Sequence, residues 1–159
     1  MKPQPVISIA EVPPVDVLGT EKTGTYALIP ELLTNVLNYL LAHNIPIAGP
    51  PVFICHEISP EAVKAANANG TARVEIAWPV TGSTAGSGAV RRYTLPGGRM
   101  VHVTHKGPYD SCEPAYLAAF AWIAENGLEV SGPIREVYPN DPQEVPPEEI
   151  LTEIYIPVT

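Results

Sequence analysis

The chain has 159 residues, 45% of them hydrophobic, and its 17 acidic against 9 basic residues give a formal net charge of −8. This length suits a single domain, the apolar content excludes a disordered chain, and the negative charge disfavours direct binding to DNA or RNA. No apolar run approaches the length of a membrane span and the first residues lack the apolar core of a signal peptide, so we expect a cytoplasmic protein without membrane contact.

The first half of the chain predicts strands where apolar and polar residues alternate, and a helix where leucines recur at helical spacing. In chain order these elements are strands 6–11 and 15–21, a helix from Pro30 to His43, and strands 52–57 and 74–80. Pro13 and Pro14 force a bend between the first two strands. The alanine-rich stretch from Pro60 to Gly70 is interpreted as a short helical turn in a loop.

The second half predicts the same kinds of element in a similar order. They are strands 89–95 and 100–105, a helix between Asp110 and Gly127, and strands 134–138 and 151–158. Asp110 and Glu113 fit a capping box, and Gly127 fits a carboxyl-terminal stop. The spacing predicts that this helix turns four residues toward the core, namely Leu117, Phe120, Ala121 and Ala124.

An internal duplication relates the two halves. The segment 75–81 (EIAWPVT) recurs as 153–159 (EIYIPVT), Gly24-Thr25-Tyr26 as Gly107-Pro108-Tyr109, and Gly49-Pro50 as Gly132-Pro133. A repeat of roughly 70 residues is small to hold a core alone, but two copies can pair their sheets and enclose a cleft. We therefore predict one α+β domain over residues 1–159. It comprises two pseudo-symmetric strand-helix-strand-strand repeats (about 1–81 and 89–159, linker 82–88), an antiparallel sheet and a central ligand cleft.

Alternation in the last strand suggests where chemistry could reside. Ile154 and Ile156 share the core face, so Glu153 and Tyr155 take the opposite face. In the preceding strand we expect Val137 to face the core, which places Glu136 and Tyr138 beside Glu153 and Tyr155; Glu75 joins them by the same alternation. Carboxylates among aromatic rings attract flat organic cations. Alternation alone leaves a solvated outer face as an equal alternative.

Other chemistry-bearing residues give weaker patterns. Cys55 and Cys112 form no metal-like spacing and are expected to be reduced, unreactive thiols. His102 and His105 are three residues apart on a strand and point to opposite faces, which disfavours a shared metal. The sequence has no Gly-rich phosphate loop, nucleophile elbow or zinc spacing, so no cofactor and no metal are expected.

The duplication, together with the segments 106–109 (KGPY), 136–138 (EVY) and 152–158 (TEIYIPV), resembles the GyrI-like small-molecule-binding superfamily. That superfamily includes the effector-binding domains of AraC- and MerR-type multidrug regulators. The resemblance covers nearly the whole chain and implies two tandem modules around a cleft that binds lipophilic, often cationic, aromatic compounds. The ligand-binding residues that it implies are Tyr26, Glu75, Tyr109, Trp122, Glu136, Tyr138, Glu153 and Tyr155.

Three functions remain open. Because no helix-turn-helix precedes the first predicted strand, we expect a stand-alone protein that binds small aromatic or cationic molecules for sensing, sequestration or toxin protection. The alternative is a hydrolase of reactive cyclopropane-bearing toxins, with Glu136, Glu153 and Tyr155 as candidate catalytic residues. A protein that protects gyrase, or binds another regulator, is the third. Binding without catalysis is favoured.

Overall fold

The structure, a computed structural model, describes residues 5–159. Residues 1–4, with which the predicted first repeat begins, lie outside this part. The described residues form eight strands and three α-helices: β1 (Ile7–Val12), β2 (Val15–Gly24), α1 (Ile29–Ala42), β3 (Val52–Cys55), α2 (Pro60–Asn69), β4 (Ala72–Pro79), β5 (Arg91–Leu95), β6 (Gly98–Lys106), α3 (Glu113–Glu125), β7 (Ile134–Val137) and β8 (Leu151–Pro157). The predicted α+β class is confirmed.

All eight strands belong to one curled, antiparallel sheet with the order β1-β6-β8-β7-β3-β4-β2-β5. From the central β7–β3 pair, β8 and β6 follow on one side and β4 and β2 on the other. The outermost strands cross between the two sides, since β1 pairs with β6 and β5 pairs with β2. This order is symmetric about the centre; the exact boundaries of the repeats and of the linker stay a prediction.

Two helices of the first half are explained by local sequence. α1 has Pro30 in its first turn and buries Leu32, Val36 and Leu40. α2 begins after Ser59, whose hydroxyl accepts a hydrogen bond from the Ala62 N–H at 3.1 Å, and it ends at Gly70 in the left-handed conformation. The segment predicted as a short turn is therefore a complete helix, because it has both a side-chain cap and a glycine stop.

The second-half helix, α3, differs from its prediction in two respects. Asp110 lies in a 3-10 turn before the helix and Cys112 is the capping residue, so the predicted capping box is wrong. The buried face consists of Ala115, Ala119 and Ile123, whereas Leu117 is 49% exposed. Of the four predicted residues, Phe120 packs against the core, whereas Leu117, Ala121 and Ala124 are exposed. The stop just before Gly127 is confirmed.

Apolar side chains cover both faces of the sheet. The larger cluster lies under the helices and includes Ile76, Val101 and Ile154; the smaller one, on the opposite face, consists of Val17, Val52, Ile54, Ala77 and Leu95. We call the face of the sheet under the helices the helix face and the opposite face the far face. Within residues 5–159, no helix is long and apolar enough to cross a membrane.

Candidate ligand-binding site

A cavity of about 1140 Å³ lies on the helix face, between the helices and the centre of the sheet. This volume slightly exceeds the roughly 300–1,000 Å³ that is usual for small-molecule pockets. Its walls are mostly apolar and aromatic, and include Tyr26, Leu33, Phe53, Trp78, Tyr109, Tyr116, Phe120 and Tyr138. The cavity is therefore large enough for a bulky, lipophilic ligand.

One carboxylate, that of Glu136, sits in this apolar wall. Its two oxygens accept hydrogen bonds from two phenols: the Tyr116 hydroxyl donates to Oε2, and the Tyr138 hydroxyl donates to Oε1 at 3.0 Å. The side chain is half-buried because the cavity opens onto it, while protein surrounds it elsewhere. Desolvation raises the pKa of Glu136, and the two phenolic hydrogen bonds oppose this rise. The pKa values of both tyrosines are raised well above the ordinary value, chiefly by burial.

Strand register places Glu136 in the cavity. On β7 it lies opposite Phe53 of β3 and Ile154 of β8, both of which face the helices. Tyr138 follows two residues later on the same side, and its N–H donates to the Pro51 carbonyl at 3.1 Å. The tyrosine and the carboxylate are thus positioned by neighbouring strands at the middle of the sheet.

A second carboxylate, Glu57, lines the cavity just beyond the end of β3. Its Oε1 accepts a hydrogen bond from the Tyr26 hydroxyl at 2.6 Å, and its Oε2 accepts one from the Arg73 N–H at 3.3 Å. Burial, and then the hydrogen bond to Glu57, raise the pKa of Tyr26. Glu57 and Glu136 are thus both hydrogen-bonded to tyrosine; the lining also includes Asp110, Glu113, Asp141, Glu144 and Lys64.

Hydrogen bonds and ring contacts hold the aromatic walls in place. The Trp78 indole N–H donates to the Leu33 carbonyl at 3.1 Å. The Tyr109 ring meets the Tyr138 ring edge-on at 5.2 Å, and Tyr26 meets Phe53 edge-on at 5.9 Å. Ring faces attract cations by about 0.5–2 kcal/mol each, so this lining and the carboxylates favour the same kind of ligand.

Both cysteines also line the cavity as free thiols. Burial, followed by the nearby Glu136 charge, raises the pKa of Cys55 to about 12 and that of Cys112 to about 12. Thiolates, not thiols, are the nucleophiles, so these neutral side chains contribute polarizable surface and not reactivity. This agrees with the expectation of unreactive thiols.

The structure places half of the predicted site residues in the cavity. The cavity lining contains four of them, Tyr26, Tyr109, Glu136 and Tyr138, and lacks the other four, Glu75, Trp122, Glu153 and Tyr155. The expectation that Glu136 and Glu153 project together is wrong, because Glu136 pairs with Ile154 and Val137 pairs with Glu153 across β7 and β8. Cα partners share a face, so Glu153 belongs to the far face.

The residues outside the cavity have other contacts. On the far face, Glu153 binds the His102 imidazole and accepts a hydrogen bond from the Thr104 hydroxyl at 2.7 Å, and the Tyr155 ring packs on His102. Trp122 is half-buried and packs against the core from α3. Glu75 lies on the far face in a separate cluster, described below.

Several cavity residues escaped the sequence analysis. Tyr116 was missed because the sequence analysis assigned the wrong face of α3 to the core. Trp78 could have been found, since it shares the helix face with Ile76 by the alternation that was applied to β8. Glu57 could also have been found, since alternation in the predicted strand 52–57 places it on the same side as Phe53 and Cys55, which line the cavity.

The sequence profile of the GyrI-like small molecule binding domain matches residues 5–159, and the chain therefore belongs to this family. A search of curated protein sequences found no match.

Solved structures share the fold. The C-terminal domain of EcmrR superposes with a TM-score of 0.85 at 20% identity, over 98% of each chain. In the EcmrR–DNA complex the TM-score is 0.82 at 23% identity, and this chain spans 57% of the length of EcmrR. A hydrolase encoded by lin2189 from Listeria innocua (TM-score 0.66, 15% identity, 99% of this chain and 93% of that one) and SAV2435 bound to tetraphenylphosphonium (0.62, 13%, 97% and 94%) are also similar. At these identities the likeness concerns the fold alone.

Proposed function

We propose that this protein binds lipophilic, cationic aromatic molecules in the cavity, with Glu136 as the counter-charge. The observation that carries the proposal is a desolvated carboxylate between two tyrosine hydroxyls in a wall that is mostly apolar and aromatic. A desolvated carboxylate without a cationic partner is unfavourable, and a bound cation supplies that partner. The same arrangement disfavours anions, because the cavity lining contains six acidic residues and one basic residue, Lys64.

Two further observations support this ligand class. The cavity has room for a molecule with several rings. A protein of the same fold, SAV2435, is described in complex with tetraphenylphosphonium, which is a lipophilic aromatic cation.

The proposal includes a role in sensing, sequestration or protection against toxic molecules inside the cytoplasm. The free thiols of Cys55 and Cys112 support a reducing compartment. The net charge of −8 supports a role without direct contact to nucleic acid.

The experiment compares two ions of equal shape and opposite charge. Tetraphenylphosphonium and tetraphenylborate are titrated into a Trp122→Phe background, where Trp78 is the remaining tryptophan and reports on the cavity by fluorescence. We expect the cation to bind and the anion to bind at least tenfold more weakly. Glu136→Gln should weaken the cation by about thirtyfold, the equivalent of about 2 kcal/mol, since a charge pair about 5 Å apart is worth about 3 kcal/mol before desolvation.

A matched control is available on the other side of the sheet. Glu153→Gln removes a carboxylate that does not line the cavity and should leave both affinities unchanged. Equal affinity for the two ions, or equal effects of the two substitutions, would contradict the proposal.

A second candidate function is hydrolysis of cyclopropane-bearing toxins. The observation that favours it is the raised pKa of Glu136 beside two phenols, which gives the group a protonated, acid form closer to neutral pH than an ordinary carboxyl. Glu136 would act as general acid or base, and a tyrosine would stabilise the leaving phenolate. Repeated turnover of such a toxin that stops in Glu136→Gln would support catalysis. Protection limited to one equivalent would leave binding as the function.

A further inference from the structure

A second cluster of polar groups lies on the far face, away from the cavity. Glu21 of β2 pairs in register with Glu75 of β4, and His56 directly follows β3. The His56 Nε2 atom lies 2.6 Å from Glu75 Oε1 and 3.9 Å from Glu21 Oε1. One donor atom of each residue lies within 4.8 Å of the others. Three separate segments thus bring one nitrogen and two oxygens to a single point.

Neighbouring side chains hold both carboxylates in fixed orientations. The Tyr93 hydroxyl donates to Glu75 Oε2 at 2.6 Å, which leaves Oε1 directed at His56. Space for that hydroxyl depends on Gly19, because a Cβ there would lie 2.5 Å from it. On the other carboxylate, the Arg73 guanidinium donates to both oxygens of Glu21 at 3.1 Å.

The three donors are partly withdrawn from water. The exposed fractions of the side chains are 18% for His56, 14% for Glu75 and 28% for Glu21. An imidazole nitrogen and two carboxylate oxygens that are oriented and partly desolvated are a donor set of the kind that a metal ion requires.

We propose that Glu21, His56 and Glu75 form a site for a divalent first-row transition metal such as Zn²⁺. Imidazole nitrogen and carboxylate oxygen suit this class of ion, and three protein ligands leave a fourth position for water. Ligand atoms around a tetrahedral Zn²⁺ are about 3.4 Å apart, a value between the observed 2.6 and 3.9 Å. Small side-chain shifts therefore suffice, with Tyr93 as the outer partner of Glu75.

The far face contains a second histidine–carboxylate pair, which shows how an ordinary ion pair differs from the proposed metal site. On the same face, His102 pairs with a single carboxylate, Glu153, whose remaining contact is the Thr104 hydroxyl. His56 lies beside two carboxylates, those of Glu21 and Glu75, and the three residues together supply the three protein ligands that the proposed site needs. The positive charge of Arg73 opposes a metal at Glu21, so moderate affinity is expected and should improve when that charge is removed.

The test is equilibrium dialysis of the full chain against Zn²⁺, together with the visible absorption of bound Co²⁺, which reports coordination geometry. We expect one equivalent of metal per chain, bound in the micromolar range. His56→Gln and Glu75→Gln should each weaken binding by at least about tenfold, since even outer partners of a metal site are worth about 10–100-fold. Arg73→Gln should tighten it, and His102→Gln should leave it unchanged.

Thermal unfolding supplies a second measurement that needs no variant. A metal held at about 100 times its dissociation constant should raise the Tm by about 5–10 °C in a domain of this size. If His56→Gln does not fold, the metal affinity of Glu75→Gln and the Co²⁺ spectrum of the wild type test the proposal. The proposal is overturned if no equivalent binds below millimolar metal, or if His102→Gln weakens binding as much as His56→Gln.

Discussion

Glu136 is expected to destabilise the empty protein in a pH-dependent way, and Glu136→Gln should reveal this. Burial raises the pKa of the carboxyl above its ordinary value of 4.5 in the folded state. Between the unfolded and the folded pKa, the folded protein therefore holds a proton that the unfolded chain has released. Stability from this group is complete below the unfolded pKa and is lost as pH rises through the folded one.

The size of the change in the free energy of unfolding follows from the single proton that Glu136 binds. Each pH unit within that window lowers the free energy of unfolding of the wild type by up to about 1.4 kcal/mol relative to a variant without the titrating group. For a domain of this length, that corresponds to about 3–5 °C in Tm per pH unit. Glutamine keeps one acceptor for a tyrosine hydroxyl, so the local packing is preserved.

The assay is differential scanning fluorimetry of both proteins from pH 4 to pH 8. The Tm difference, variant minus wild type, should be smallest near pH 4 and should increase with pH until the folded carboxyl has ionised. Glu153→Gln is the control, because His102 and Thr104 bind that carboxylate on the far face. A difference that is constant with pH, or that shrinks as pH rises, would refute the reasoning.

Two further substitutions test the packing. Gly19→Ala should destabilise the protein by about 1–3 kcal/mol in urea unfolding, because its Cβ would lie 2.5 Å from the Tyr93 hydroxyl, whereas Gly132→Ala would make an ordinary 3.5 Å contact and serves as the control. Ile154→Ala should lower the free energy of unfolding by about 2–5 kcal/mol, because this side chain is fully buried; Leu117→Ala, at an exposed position, should change it by less than about 0.5 kcal/mol.

Much of the fold could be predicted from the sequence. Alternation located the strands, and proline and glycine positions located the ends of α1 and α3. The direction of short strands could not be predicted. On β7, which has four residues, Glu136 faces a cavity and Val137 faces the far-face cluster. A rule that places apolar residues toward the core fails where both faces of the sheet carry apolar clusters and the cavity on the helix face contains a carboxylate.

The candidate site was predictable in kind but only partly in membership. Glu136, Tyr138, Tyr109 and Tyr26 line the cavity, and the repeat drew attention to Glu153 and Glu75, which do not. Equivalent positions in two repeats share a face of the sheet, so both of these closing-strand glutamates lie on the far face. Side chains that close the cavity from α3, such as Tyr116, depend on helix rotation, which spacing alone did not determine.

The exchange of outer strands between the two sides of the sheet has a consequence for synthesis of the chain. β1 finds its partner in β6, about 90 residues later in the sequence, so during synthesis β1 lacks this partner until β6 has also been made. A stalled or truncated nascent chain would present an open strand edge to other molecules. If the chain is divided near residue 85, the first fragment contains β1 but lacks β5, the partner of β2, and the second contains β5 but lacks β1, the partner of β6. Mixing the two fragments should restore a complete sheet.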